Sequence, residues 1–470
     1  MSETNPVEEV PIAQESGPRD MTQGPILRTL ILFSLPTLGT NLLQTLGMTI
    51  NAIWIGQLLG EGALAATINA NTIMFLAFTA VFGFSMATTV KMGLSFGSGE
   101  IDGVRRAFGT GAGFSTGVSI IGAACGWIFA DELLTLLATP PSIRDLAKAY
   151  LQVSFLAMPF STLSLMISMG LRSGGDASTP FYAMIITTVI TIVLNPFLIL
   201  GIGPFPELGI AGSALTLAIA NLAGGLVMIG WIYWRDLPIR LRGREILYLI
   251  PFSTELHYVV VKGLPMGMQM LINSSATLVM LGLVNREGLT TSAAYGAITQ
   301  LWAYIQMPSF AISTAVSAMA AQNIGAGRHD RVAKITTAGI AVNGLVTMSL
   351  FTLLVALDGY LLPLFLGSGS AAVPVAEHIQ VMASWSWVIQ GLIVIMLGTL
   401  RGYGVVMLPM VIMAVALYPV RLGFYFLTYE HLGADALWLS YGFGAAVALV
   451  FTWFTYAKGR WRRAYGLKPA

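Results

Sequence analysis

Charged residues are scarce in this chain. Only 10% of its 470 residues are Asp, Glu, Lys or Arg, against about 25% in soluble domains. In contrast, 56% are hydrophobic, and the mean hydropathy is +0.76. This composition excludes an ordinary soluble domain and indicates a membrane protein with many spans. The formal net charge of +2 is too small to suggest a nucleic-acid partner.

Residues suited to covalent or metal chemistry are also few. Cys125 is the single cysteine, so a disulfide or a thiolate metal site within one chain is excluded. The four histidines are scattered and form no H-E-x-x-H motif, and no G-x-x-x-x-G-K-[ST] phosphate loop occurs. We therefore expect neither an enzyme nor a metal site.

Long apolar runs occupy most of the chain. When they are read between charged residues and Gly or Pro clusters, they predict an all-α membrane protein with twelve transmembrane helices. The predicted spans lie near residues 26–54, 63–92, 107–130, 147–171, 181–202, 209–233, 257–284, 290–320, 334–357, 374–400, 405–428 and 435–457.

Lys and Arg are distributed unevenly among the segments that join these spans. With the N-terminus inside, 20 of the 24 lie in inner segments and three in outer segments, while Arg421 lies within a span. This bias predicts an even number of spans and cytoplasmic N- and C-termini. We expect a multi-pass protein of the cell inner (plasma) membrane.

The two halves of the chain repeat one another. Pro36 and Pro265 are 229 residues apart, as are Arg172 and Arg401, and GSGEIDGVRR matches GAGRHDRVAK at an offset of 228. Because an even number of spans precedes the second copy, the copies have the same orientation and form parallel repeats. Two six-helix lobes of this kind enclose a central cleft, which favours an alternating-access transporter over a channel.

The repeat divides the chain into five segments. The first segment is acidic and lacks the basic start and apolar core of a signal peptide. The prediction is a disordered cytoplasmic tail (1–24), a first lobe (25–234), a cytoplasmic linker (235–255), a second lobe (256–457) and a basic cytoplasmic tail (458–470).

The first span carries a stripe of amide side chains. Asn41, Gln44 and Asn51 fall within one third of the circumference of a helix. Pro36 lies before them and predicts a bend that acts as a hinge. An apolar helix does not turn such a stripe to lipid, so the amides face other helices or a water-filled cleft.

A second polar stripe lies in the predicted fifth span, where Thr191 and Asn195 are one turn apart. A lone stripe more often serves hydrogen bonding between helices, but Asn51 in the same lobe favours a cleft site. Arg421 either neutralises an anionic group of a substrate, or pairs internally, or extends to the outer surface. The other cleft candidates of the second lobe are Met268, Asn273, Gln300 and Gln390.

The inner turns predict a gate. Glycine permits a left-handed conformation at the end of a helix, and Asp or Arg near a helix end complements the helix dipole. The predicted residues of this cytoplasmic gate are Gly97, Gly99, Arg172, Gly325, Gly327 and Arg401.

The paired turns, the loops LRSGGDASTP and LRGYGVVMLP, and the string NAIWIGQLLGEGALAA resemble the multidrug and toxic compound extrusion (MATE) family over about residues 25–457. The resemblance is greatest to the DinF-type and archaeal branch. It implies a V-shaped transporter that exports cationic, zwitterionic or amphipathic compounds in exchange for protons or sodium. Family members carry acidic coupling residues at positions that correspond here to Asn51, Asn195 and, with looser alignment, Asn273 and Gln390.

These amides change the mechanism that the family implies. An amide does not titrate, so proton coupling at Asn51 or Asn195 is not expected, whereas their carbonyl groups could ligate Na⁺. We therefore expect a monomeric exporter of small amphipathic or cationic compounds that needs no cofactor except a coupling ion, H⁺ or Na⁺. The alternatives are a flippase for lipid-linked precursors, which would need more cationic groups than Arg421, and a receptor or scaffold that does not transport.

Overall fold

The computed structural model describes residues 20–367, 369–459 and 461. The first lobe consists of α1 (Ile26–Leu59), α2 (Glu61–Ser98), α3 (Ile101–Ile128), α4 (Ala130–Leu136), α5 (Pro141–Ser173), α6 (Ser178–Leu200) and α7 (Gly209–Trp234). A linker with a 3₁₀ helix (Gly243–Leu249) follows. The second lobe consists of α8 (Ser253–Arg286), α9 (Leu289–Gly325), α10 (His329–Ala356), α11 (Asp358–Leu366), α12 (Ala372–Ala383), α13 (Ser386–Gly402), α14 (Met407–Val415), a π-helical turn (Ala416–Val420), α15 (Arg421–Leu432) and α16 (Asp435–Lys458).

Ten helices in the described part of the chain are long and apolar enough to cross a membrane, with α14, the π-turn and α15 counted as one. α12 and α13 make an eleventh span that is bent by 44°. α9 has 37 residues and packs among these helices. The predicted all-helical architecture, with twelve spans in two six-helix lobes, is thereby confirmed.

Each lobe has its own apolar core. In the first lobe, Tyr150 and Phe155 of α5 pack with Ile55 of α1 and with residues of α2, α3, α6 and α7. In the second lobe, Trp302 of α9 and Trp438 of α16 lie at the centre of the corresponding cluster. The two lobes are therefore built in a similar way, as parallel repeats require, and a further apolar cluster with Leu30 and Ile312 packs across their interface.

The lobes meet through closely packed glycines at one end of the molecule, which carries the α2–α3 and α9–α10 turns and is called here the basic end. A Cβ atom on Gly83 of α2 would overlap the carbonyl oxygen of Gly263 of α8. A Cβ on Gly97 would overlap the carbonyl oxygen of Gln322, and a Cβ on Gly325 would overlap the backbone of α2. This glycine seam brings the two lobes into backbone contact, and side chains would separate them.

The opposite end, which carries the α1–α2 and α8–α9 turns, is open. All residues from 315 to 324 of α9, at the basic end, are buried. In contrast, no residue from 268 to 275 of α8 is buried, and in residues 41–50 of α1 only Gly47 is. The helices around the lobe interface therefore diverge towards the open end and leave a cleft between them.

Residues 20–24 depart from the predicted disordered tail. The backbone N–H of Met21 donates to Gln322 Oε1 over 3.1 Å, and its carbonyl oxygen accepts from Asn323 Nδ2 over 3.1 Å. Arg328 donates to the carbonyl oxygen of Thr22 over 2.6 Å. This short segment has no periodic pattern, so its backbone contacts could not be predicted from sequence. The rest of the predicted tail, residues 1–19, lies outside the described residues, as do residue 460 and residues 462–470 of the predicted C-terminal tail.

Candidate functional site

Three side chains from three helices form a buried cluster in the first lobe. Asn195 Nδ2 of α6 donates to Asn51 Oδ1 of α1 over 2.7 Å, and Ser213 Oγ of α7 donates to the same oxygen over 2.7 Å. Asn51 is 4% exposed, and Asn195 and Ser213 are fully buried. This amide cluster (Asn51, Asn195 and Ser213) ties together the three helices that surround it.

The polar stripe of α6 continues away from the cluster. Thr191 is buried, and its hydroxyl donates to the carbonyl oxygen of Thr187 on the same helix over 2.9 Å. This back-bonding satisfies the hydroxyl without a second helix. Tyr150 of α5 lies beside the cluster, where its hydroxyl interacts with Asn51 and donates to Asn71 Oδ1 over 3.4 Å.

The amide cluster can exchange hydrogen bonds but offers no carboxylate. Asn51 Oδ1 accepts two hydrogen bonds, which occupy both of its lone-pair directions. Asn195 Oδ1 is buried and has no partner in the described part of the chain. In this arrangement, Asn195 supplies the one free amide oxygen of the pair. Among the described residues, no group of three or more His, Cys, Asp or Glu could hold a metal ion.

The other predicted cleft residues lie outside the amide cluster. Gln44 is on the same face of α1 as Asn51, about 20° away around the axis, yet it is exposed, and Asn41 is half-buried. In the second lobe, Met268, Asn273 and Gln300 are exposed and Gln390 is half-buried. Among the described residues, no side-chain hydrogen bond joins any of these six to the amide cluster.

Arg421 lies inside the second lobe. It is 6% exposed, and its guanidinium carbon lies 3.3 Å from the centroid of the Tyr441 ring. The Tyr441 hydroxyl forms a hydrogen bond of 2.7 Å with the hydroxyl of Tyr295. Because Arg421 is buried, it does not extend to the outer surface. Nor does it pair with an acid, because no salt bridge of the described residues includes it.

The predicted gate residues lie at the basic end. Gly97 and Gly325 belong to the glycine seam, whereas Gly99 and Gly327 have φ angles of 75° and 71° at the turns that follow α2 and α9. Both turns need the left-handed conformation that glycine adopts without strain. The two arginines of the predicted gate lie nearby: Arg172 is buried at the end of α5, and Arg401 donates to Ser313 Oγ over 2.8 Å.

Sequence reasoning missed three residues. Ser213 was hidden in a run of small residues, and Tyr150 in an apolar helix. Gln322 accepts from the Met21 N–H and donates to the carbonyl oxygen of Ser173 over 2.8 Å, so it joins α9 to the N-terminal segment and to the first lobe. The signal for Gln322 was a pair of consecutive amides, Gln322 and Asn323, at the end of an otherwise apolar helix.

Two strings, residues 93–97 and 113–117, match the G-x-S-x-G pattern of hydrolases. A nucleophile elbow requires a sharp turn between a strand and a helix. Both strings instead lie within the continuous helices α2 and α3. They therefore carry no catalytic serine.

Comparison with known proteins supplies the context for this geometry. The MatE family model matches residues 36–197 and again residues 265–427. The two matches begin 229 residues apart, which confirms the internal repeat.

Individual relatives match most of the chain. The probable multidrug resistance protein YoeA of Bacillus subtilis (strain 168) is 30% identical over 434 residues, which cover 92% of this chain and 93% of the relative. YpnP of the same strain is also a probable multidrug resistance protein. It is 29% identical over 450 residues, which cover 94% of this chain and 97% of the relative. A crystal structure of a Vibrio cholerae MATE transporter shares the fold with a TM-score of 0.84 at 18% identity, and the match covers 93% of this chain and 97% of that one.

Proposed function

Because this chain belongs to the MATE family of multidrug and toxic compound extrusion transporters, we propose that it expels small amphipathic or cationic compounds through the cleft between its lobes. Members of this family are transporters and not enzymes. One observation supports this reading above the others. The glycine seam seals the lobes at the basic end, while polar side chains of both lobes are exposed towards the open end.

The orientation of the transporter is part of the proposal. The segments at the basic end hold most of the Lys and Arg residues, so this end would face the cytoplasm of a cell whose inner membrane holds the protein. The conformation described would then be closed to the cytoplasm and open to the outside. Transport would alternate between this state and one in which the glycine seam has separated. A monomer suffices for this cycle, because both lobes belong to one chain.

Coupling would differ from that implied by acidic sites. Neither Asn51 nor Asn195 can release a proton, and Asn51 Oδ1 already accepts two hydrogen bonds. A desolvated Na⁺ at the cluster would meet no negative charge to compensate it. We propose that the amide cluster holds α1, α6 and α7 together, and that a coupling ion, H⁺ or Na⁺, if one is used, binds elsewhere in the chain.

Efflux of a fluorescent cation, rhodamine B ethyl ester, from proteoliposomes tests the function. The wild-type protein is expected to speed efflux relative to empty vesicles. Gly97→Val should abolish this efflux because the seam cannot form. Gly117→Ala is the matched control, because a Cβ at this glycine of α3 meets no atom within 4 Å.

The same vesicles distinguish the alternative functions. Movement of a fluorescent polyprenyl phospholipid between leaflets without dye efflux would favour a lipid flippase. Wild-type protein that moves neither probe would contradict the proposal and favour a receptor or scaffold.

A further inference from the structure

The second lobe holds a buried cation, Arg421, that has no counterion among the residues that the structure describes. Arg421 begins α15, near the middle of the span formed by α14, the π-turn and α15. Its Nε and Nη2 atoms are buried and have no hydrogen-bond partner in the described part of the chain. The ring of Tyr441 covers one side of the guanidinium group. A charged group inside a span that lacks a partner is a candidate for function, because its burial is unfavourable otherwise.

A chain of aromatic rings extends from Tyr441 and contains a second unpaired hydrogen-bond donor. Trp302 packs against Tyr441 and Trp387, with ring centroids 5.1 Å and 5.5 Å apart. The indole N–H of Trp387 is buried and, among the described residues, has no acceptor. In contrast, the indole N–H of Trp302 donates to Ser384 Oγ over 2.6 Å. The indole N–H of Trp387 thus lacks a hydrogen-bond acceptor, as do Nε and Nη2 of Arg421.

The internal repeat relates Arg421 to the first lobe. Pro180 and Pro409 are 229 residues apart, but the two family matches end at residues 197 and 427, which are 230 apart. The π-turn lies between these points in the second copy, and a turn of this kind accommodates one extra residue in a helix. An offset of 230 would pair Arg421 with Thr191 in the repeat. In that register Arg421 would stand one turn before the counterpart of Asn195.

We propose that Arg421 binds an oxyanion group, a carboxylate, sulfonate or phosphate, of an aromatic amphiphile that the transporter expels. This inference rests on the proposed function and narrows its substrate class. The planar fork of an arginine donates two parallel hydrogen bonds to such a group. The ring of Tyr441, which covers the guanidinium group, provides a face against which the aromatic part of the substrate packs. An oxyanion would at once supply the missing counterion and the missing acceptor.

A negative charge on the substrate would also give a driving force for export that needs no acidic coupling site. A cell interior is negative, so the membrane potential opposes the export of a cation but favours that of an anion. A potential of 100 mV can maintain an approximately 50-fold concentration ratio of a monovalent anion. A net anionic amphiphile could therefore be expelled against a gradient with no proton bound at Asn51 or Asn195.

Three dyes with one ring system test the proposal in proteoliposomes made with neutral lipid. Rhodamine B ethyl ester is a cation, rhodamine B is a zwitterion with a carboxylate, and sulforhodamine B is a net anion with sulfonates. In Arg421→Gln we expect efflux of the two oxyanion dyes to fall about tenfold or more, with efflux of the ester within about twofold of wild type. Arg421→Lys should be intermediate, because it keeps the charge but loses the fork.

Two further variants distinguish a loss of substrate recognition from misfolding and from the loss of any positive charge. Arg286→Gln removes a positive charge at an exposed position near the open end and should leave all three dyes unaffected. Arg421→Met removes a buried charge that lacks a partner, so its melting temperature should equal or exceed that of wild type. An equal loss of all three dyes in a folded Arg421→Gln protein, or no loss of any, would overturn the proposal.

The source of the oxyanion is tested separately. If a lipid headgroup rather than the substrate occupies the site, anionic lipid in the vesicles will suppress wild-type efflux of the oxyanion dyes but not of the ester, and the assignment to substrate fails. Competition by inorganic phosphate that is lost in Arg421→Gln would support the oxyanion site. If wild-type protein moves the ester but neither oxyanion dye, the proposed function stands and this inference falls. If it moves none of the three dyes, the proposed function itself falls.

Discussion

Asn195 Nδ2 donates a hydrogen bond of 2.7 Å to Asn51 Oδ1, across 144 residues of sequence. The bond has a direction, because Asn51 supplies the acceptor and Asn195 the donor. Ser213 donates to the same oxygen. The environments of the two asparagines differ, so an acid placed at one position is not equivalent to an acid placed at the other.

This direction predicts different outcomes for two acidic variants. Asn51→Asp keeps an acceptor that faces both donors, so burial of the carboxyl group is its main cost and the variant should lose less stability than Asn195→Asp. Asn195→Asp turns a carboxylate oxygen towards Asn51 Oδ1 and should destabilise the protein by about 1–3 kcal/mol through the lost hydrogen bond and the repulsion of two acceptors. Thermal unfolding in detergent measures both. Equal stability of the two variants would contradict the assigned direction.

The glycine seam predicts that a single methyl group shifts the conformational equilibrium. A Cβ on Gly97 overlaps the carbonyl oxygen of Gln322. Overpacking of this kind costs about 1–3 kcal/mol, which changes a two-state equilibrium by roughly 5- to 150-fold. Gly97→Ala should therefore favour the state in which the basic end is open. Spin labels at Ser98 and Asp330, in a background without Cys125, would report a longer distance, whereas the control Gly117→Ala would not change it.

The hydrogen bonds of Gln322 predict that the N-terminal segment helps to close the basic end. It bonds to both Met21 and Ser173, and no apolar side chain of similar size can replace these bonds. Gln322→Leu should weaken closure by about 1–3 kcal/mol, because the buried backbone groups that it served lose their partners. Cysteines introduced at the basic end should then react faster with a membrane-impermeant maleimide in inside-out vesicles. Unchanged reactivity would show that the segment does not stabilise the closed state.

The raised pKa of Asp358 predicts that the stability of the protein depends on pH. It begins α11, outside the membrane-spanning helices, where burial, followed by the charge of Glu377, raises the pKa of its carboxyl group from 3.8 to about 6. The folded state therefore retains a proton that the unfolded state releases as pH rises from about 4 to about 6, and the free energy of unfolding falls over that range.

Asp358→Asn removes this fall in the free energy of unfolding, because an amide does not titrate. The variant should melt at a higher temperature than wild type at pH 7, and the difference should shrink as the pH approaches 4. Glu132→Gln, at an exposed position of α4, is the control and should behave as wild type. A difference in melting temperature that does not depend on pH would contradict the argument.

Much of the fold was predictable because its causes are local in sequence. Twelve spans follow from the length of apolar runs, and the parallel repeat follows from matched prolines and arginines. The amide stripe placed Asn51 on an inward face, and the Leu-Asn-Pro pattern singled out Asn195. The contact between them depends on how α1 and α6 cross, which no periodicity encodes.

Other features depend on packing between distant segments. Gly83 and Gly263 touch only because two lobes assemble, and a glycine in a membrane helix has many other uses. The docking of Met21 satisfies polar groups at the end of α9, and sequence alone does not reveal which groups need a partner there. The π-turn before Arg421 is a departure from the helical period, which the sequence does not reveal.

The most direct test of the account imposes one gradient at a time on proteoliposomes that contain the wild-type protein. A pH gradient with the membrane potential held at zero, a Na⁺ gradient and a membrane potential are applied in separate runs while rhodamine B ethyl ester is followed. Because the amide cluster has no group that titrates, we predict that the pH gradient alone does not move the dye against its concentration gradient. Accumulation driven by the pH gradient alone would contradict the central claim that transport is not coupled to a proton through these positions.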